Sequence, residues 1–276
     1  MATRFYLPSS GTTLITPAYD TGWEDTSIAA RLYTKTYKEN SAMTTISFAD
    51  ATNTLKDILF RQYITPPIVA QTIAAQTLKF QIRGAERIAG CNMFTAIGAR
   101  VVSNDGITVV GTLLAVTRDG LEVDASATLD NLLFSATTTQ VIANEGDRIV
   151  IEIGTGGDPA NTGGADHDSD LRIGDVATND LAENDTAITD DNPWVEFTTL
   201  TMRNVDYKFS RVTDDGTDTT VVYRVYKDDG ASPPVRSLVL STETKVLAGS
   251  NTLAQCRTNL NDNECFKWGI PTSTQR

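Results

Sequence analysis

What most constrains this chain is a two-residue alternation of apolar side chains that stops repeatedly at Asp-Gly or a similar turn. In "DRIVIEIG", Asp147 to Gly154, the residues Ile149, Ile151 and Ile153 fall on one face, with Val150 and Glu152 opposite. "TTVVYRVYKDDG", Thr219 to Gly230, sets Val221, Tyr223 and Val225 against Val222, Arg224 and Tyr226. "TTISFAD" and "LKFQIRG" keep the same period. Turns follow at Gly106, Gly120, Gly146, Gly216 and Gly230. Glycine after aspartate accepts positive φ without a Cβ clash, so each such pair favours a hairpin. Many short strands closed by such turns predict an all-β fold, a jelly-roll-like antiparallel β-sandwich.

Helical periodicity is confined to "NTLAQCRTNLNDNE", Asn251 to Glu264, where Leu253, Cys256 and Leu260 share a face and Ser250 or Asn251 can cap the start. "DILFRQYITPP" reads as a strand stopped at Pro66 and Pro67. The two Asp-Gly turns at Gly216 and Gly230 lie beyond "NPWVEF". The boundary therefore falls near Leu200, with a sandwich domain over 1–200 and a smaller β-rich unit over 201–276 containing one short helix. That second unit is short for an independent core, which predicts support from the first domain or from another copy, and hence a homo-oligomer.

With 276 residues and 40% hydrophobic side chains the chain can bury a core. The net charge is −12, and most of it lies between Asp158 and Asp191, where ten carboxylates face one base, Arg172. That segment repels nucleic acid, and no basic stripe elsewhere attracts it. Three cysteines, Cys91, Cys256 and Cys265, do not make a disulfide framework. No apolar h-region follows "MATRFYLPSSG", and no apolar run is long enough for a membrane helix. The expectation is synthesis in a reducing cytoplasm without a signal peptide, and no membrane insertion.

The acidic segment contains the chain's single histidine, His167. "DHDSD" sets Asp166, Asp168 and Asp170 at alternate positions, as a calcium loop begins. An EF-hand then needs Gly sixth and Glu twelfth, where this chain has Leu171 and Ala177. The segment from Gly154 to Asp191 therefore reads as a solvated surface loop, with a non-EF calcium site on Asp166, Asp168 and Asp170 as the lesser alternative. One histidine and remote cysteines do not make a zinc set. "GTGGDP" fails as a phosphate loop, because Pro159 stands where the third glycine belongs. A G-x-S-x-G elbow is missing, and abundant carboxylates alone do not define a glycosidase pair. No cofactor and no catalytic residue are expected, and the chain reads as not an enzyme.

Two further features bear on binding. "DNPWVEF" places Trp194 and Glu196 on one face and Val195 and Phe197 on the other, which favours a core tryptophan over a sugar-stacking platform. In "RFYLPSSG", Pro8 and Gly11 break regularity while Phe5, Tyr6 and Leu7 supply an apolar anchor. That combination predicts an irregular docking arm buried against this chain or a neighbour.

The phrases "RFYLPSSG", "GWEDTS", "DILFRQYITPP", "NMFTAIGARVVSNDG", "GDRIVIEIG", "HDSDLRIGD", "LAENDT" and "NPWVEF" together resemble virion-associated structural proteins of tailed bacteriophages, of the environmental type. The likeness runs in order over residues 3–200 and carries no functional residue. It implies a virion component, either in the tail or fibre or as a capsid decoration, that docks onto other virion proteins. The alternative is a lectin-like module binding host-surface glycan.

Overall fold

The computed structural model describes residues 2–11, 13–34, 42–49, 56–87, 92–123, 129–157, 168–177, 179–183, 190–202, 205–227 and 238–248, the last two chiefly as backbone. The strands in chain order are β1 (Thr3–Tyr6), β2 (Ala30–Tyr33), β3 (Thr44–Phe48), β4 (Asp57–Ile64), β5 (Gln71–Ile73), β6 (Thr77–Glu86), β7 (Met93–Val102) and β8 (Val109–Glu122). They continue as β9 (Asp130–Thr137), β10 (Val141–Ala143), β11 (Arg148–Gly157), β12 (Ser169–Ile173), β13 (Trp194–Phe197), β14 (Val205–Asp214), β15 (Asp218–Lys227) and β16 (Leu238–Ala248). The described residues contain no helix, and the fold is all-β and sandwich-like. No helix among them is long and apolar enough to cross a membrane. The expected helix over 251–264 lies outside the described residues.

The chain divides into two compact units, Met1–Thr201 and Met202–Arg276. In the first, one sheet is built around β6. β9 runs along one side of β6, and β13 and β12 share the other, pairing with Leu78–Gln81 and Arg83–Glu86 respectively. β1 extends this sheet beyond β13, and β3 extends it beyond β12. The second sheet runs β2-β4-β11-β7-β8, antiparallel except where β2 lies parallel to β4. The sheets face each other, with Phe48 against Phe60 at 6.4 Å between ring centroids and Thr155 Oγ1 3.0 Å from Ser169 Oγ. Phe5, Leu78, Phe80, Ile82, Ile151, Ile153, Leu171 and Phe197 are all buried. At about 1.5–3 kcal/mol for each large side chain removed from water, they outweigh any single polar contact.

All ten residues of β11 are buried, the face of Val150 and Glu152 as well as that of Ile149, Ile151 and Ile153. The outer face of that sheet is covered by residues 13–29, which return across it as an irregular strap. Gly154 marks a close approach: a Cβ there would lie 1.9 Å from the Ile58 carbonyl oxygen, at the shift in register between Ile153 and Gly154. The long edge strand β8 shows four register shifts against β7. Such bulges twist an edge and discourage strand addition along it.

The structure corrects the expected loop over Gly154 to Asp191. Gly154–Gly157 completes β11, and Ser169–Ile173 is β12, hydrogen-bonded on both sides. Acidic composition masked a strand of period two: Ser169, Leu171 and Ile173 point inward, while Asp170 and Arg172 alternate outward. The N-terminal segment likewise differs from an irregular arm. Residues Thr3–Tyr6 form a regular strand, which Pro8 permits because it lies beyond the last ladder pair. In the second unit, β14, β15 and β16 form an antiparallel sheet in that order.

Candidate functional site

Side-chain chemistry is concentrated on the outer faces of the two sheets, where loops cross them. On the second sheet the centre is Glu152, 2% exposed. Its partners come from strands on both sides and from the strap. Oε1 accepts from Gln62 Nε2 and from an Arg100 guanidinium nitrogen, each at 2.8 Å. Oε2 accepts from the Trp23 indole nitrogen at 2.9 Å, and the Asp20 backbone N–H donates to both oxygens at 3.2 Å. Arg100 and Gln62 also donate to the Ala18 carbonyl. Arg31 donates to Gln62 Oε1 at 3.0 Å and to the Pro17 carbonyl at 3.2 Å, with its guanidinium 4.0 Å from the Tyr19 ring centroid. Trp23 packs with Leu59 and Ala96, flanked by Tyr19, Ala29 and Val116. Each carboxylate oxygen thus accepts at least two hydrogen bonds, so the lone pairs of Glu152 are spent on protein donors. Such a carboxylate holds the strap rather than moving protons.

On the first sheet the centre is β1 against β13. Arg4 lies opposite Glu196 and reaches its carboxylate with two nitrogens, at 3.1 and 2.8 Å. A third nitrogen meets Asp180 at 2.5 Å, and the guanidinium carbon sits 3.7 Å from the Trp194 ring centroid. Tyr6 donates to the other Asp180 oxygen at 3.0 Å. Partial burial and that hydrogen bond push the Tyr6 hydroxyl up to about 12. Trp194 is fully buried, and its indole nitrogen donates to the Leu181 carbonyl at 2.8 Å. Further along, the buried Arg83 faces Asp175 and Asp190, with Arg172 also on Asp190. Burial, reinforced by Arg172, pulls the Arg83 guanidinium down to about 10.

The predicted site residues scatter. Phe5 and Leu7 are buried in this chain's own core, and Tyr6 turns outward to Asp180. Asp170 stands in β12 opposite Ser47 and Ala85, 3.9 Å from Arg87 Nε, while the Asp168 carbonyl accepts from the Arg87 N–H. Asp166 and His167 lie outside the described residues. Among the described residues no three His, Cys, Asp or Glu side chains gather as a metal would require. Trp23 and Trp194 offer no open stacking face, being 5% and 0% exposed. The Glu152 cluster escaped sequence reasoning, because its members lie up to 132 residues apart. Its one linear sign is a lone acid in the apolar run "IVIEI".

No protein-family model matches the chain, and no curated protein sequence matches it. Among solved structures it is similar to a CocE/NonD family hydrolase from Staphylococcus aureus, at 6% identity and a TM-score of 0.40, over 72% of this chain and 36% of that one. It is also similar to an alpha-amino acid ester hydrolase, at 10% identity and 0.37, over 73% and 36%. A third similarity is to the infectious bursal disease virus Gt strain structure, at 14% identity and 0.25, over 84% and 50%. The chain therefore spans about a third to a half of these proteins. The expectation that it is not an enzyme is corrected by the two hydrolases. That expectation rested on missing linear motifs alone. The likeness transfers no residue and no substrate to this chain.

Proposed function

We propose that the chain is a structural component of a tailed-bacteriophage virion, in the tail or fibre or on the capsid surface, acting by docking onto other virion proteins and onto its own copies. What supports this reading is where the phrases that resemble virion-associated proteins fall in the fold. "RFYL" is β1 with its Arg4 anchor, "GWEDTS" brings the clamped Trp23, and "DILFRQYI" is β4 with Gln62. "GDRIVIEIG" brings Glu152, and "NPWVEF" brings Trp194 and Glu196. These are the strands and pins that fix the shape of the sandwich, which supports a role in which a rigid shape is what the protein supplies. Of the tryptophans that the lectin-like alternative would use as platforms, Trp23 and Trp194 lie in the interior. Sedimentation of a phage lysate tests the proposal: the chain is expected to band with complete particles, and recovery only in the soluble fraction would overturn it.

A further inference from the structure

We propose that β1 is an exchangeable strand: the slot along β13 that holds residues 3–7 of its own chain also accepts residues 3–7 of a second copy, so that copies are linked through β1. This deepens the docking reading above by naming the contact, and it rests on that reading for its biological setting.

Four features point to it. First, β1 is the outermost strand of its sheet, and among the described strands it pairs only with β13, whose outer edge is free without it. Second, the slot is selective rather than a bare edge. It takes the backbone of Thr3–Tyr6 in register with Trp194–Phe197, and the Leu7 N–H donates to the Pro193 carbonyl at 3.2 Å. It buries Phe5 edge-on to Phe197, at 6.2 Å between centroids, and it buries Leu7. It also reads Arg4 by Glu196, Asp180 and the Trp194 face. Third, the hydrogen-bond and ring partners of residues 3–7 lie within residues 174–200, far along the chain from the strand they hold, so another copy's strand meets the same partners; the Tyr63 hydroxyl holds the Pro8 carbonyl, at 3.0 Å, where the strand leaves. Fourth, the strand leaves through Pro8, Ser9, Ser10 and Gly11, with Gly11 at φ +127°. The strap on the second sheet begins at residue 13. A glycine in that region of φ is a pivot other residues reach only with strain. A second copy presents a strand of identical sequence, so the complementarity needs no new surface, which is why exchange of an identical element is an economical route to assembly.

The test uses full-length chains in which Cys91, Cys256 and Cys265 are replaced by serine. One carries Arg4→Cys and the other Glu196→Cys, and the two are co-produced in one cell and then oxidised. Residues 4 and 196 are register partners, so a 4–196 disulfide between different chains requires β1 of one copy on β13 of another. The expected result is a cross-linked species at twice the chain mass in the mixture, with the 4–196 linkage found by peptide mapping. The linkage appearing only within one chain, in the double variant R4C/E196C, would overturn the proposal. Loss of Arg4 could itself weaken the slot, so the unmodified chain gives a second reading. An excess of a peptide of residues 2–11 is expected to lower its mass by light scattering to that of the single chain. A chain that is monomeric throughout overturns the exchange. The particle assay is read separately: presence in particles without the cross-link removes the exchange and keeps the virion role, and the cross-link without presence in particles does the reverse.

Discussion

Replacing Glu152 with alanine tests the strap most severely. The change takes from the Arg100 side chain, 8% exposed, its buried counter-ion and leaves only the partly exposed Asp20 carboxylate at 3.9 Å. It also removes the acceptor of Gln62 Nε2, of the Trp23 indole and of the Asp20 N–H. Breaking a buried pair from one side costs about 3–5 kcal/mol, most of it the uncompensated charge that remains. A domain this size shifts its midpoint by about 2–4 °C per kcal/mol, so the melting temperature of Glu152→Ala should fall by roughly 6–20 °C. Glu152→Gln keeps one oxygen acceptor and loses the charge, so its cost should approach about 1.5–3 kcal/mol, the worth of a hydrogen bond to a charged group. Urea titration followed by tryptophan fluorescence gives the free energies, and limited proteolysis within residues 13–29 reports whether the strap lifts first. The double change Glu152→Ala with Arg100→Met should recover part of the loss, because no charge is then stranded. A loss below about 1 kcal/mol for Glu152→Ala, with the strap still protected, would refute the clamp, since only exposed ion pairs are that weak.

Three other outcomes follow from the same structure. Trp194→Ala should cost about 3–5 kcal/mol by differential scanning calorimetry, because it empties a fully buried site beneath Arg4. Wild-type stability together with lost glycan binding would instead favour the lectin-like reading. Gly154→Ala should cost about 3 kcal/mol, the upper end of ordinary overpacking, because the clash is with backbone at Ile58 rather than with a movable side chain; a neutral effect in urea unfolding would contradict the geometry. The Tyr6 hydroxyl titrates higher in the folded chain than its ordinary value of 10, at about 12, so the native state keeps the proton that the unfolded chain releases. Its stabilising contribution is complete below pH 10 and is lost as pH rises from 10 to 12, and Tyr6→Phe should flatten that part of the stability–pH curve.

The sequence made the class of fold legible because period-two alternation survives in the strands that form the core, as in "DRIVIEIG" and "NPWVEF". It misled where composition spoke louder than period. Asp170 and Arg172 are outward residues of a strand whose Ser169, Leu171 and Ile173 face the core, yet the surrounding aspartates read as loop. The N-terminus misled for a different reason: Pro8 and Gly11 break the chain after β1, leaving Thr3–Tyr6 free to pair with a strand 192 residues away. The Glu152 clamp was not legible as a cluster, because no local pattern joins Trp23, Gln62, Arg100 and Glu152. Its one local trace is an acid between isoleucines, and a carboxylate buried on a strand needs donors brought to it.

The central claim is that this sandwich is a built part of a virion. Its most direct test is absolute quantification, by isotope-labelled peptides, of the chain in nuclease-treated, gradient-purified particles against the major capsid protein. The account predicts a constant ratio across preparations, corresponding to several copies in every particle. A ratio that falls with each round of purification, to less than one copy per particle, would contradict it.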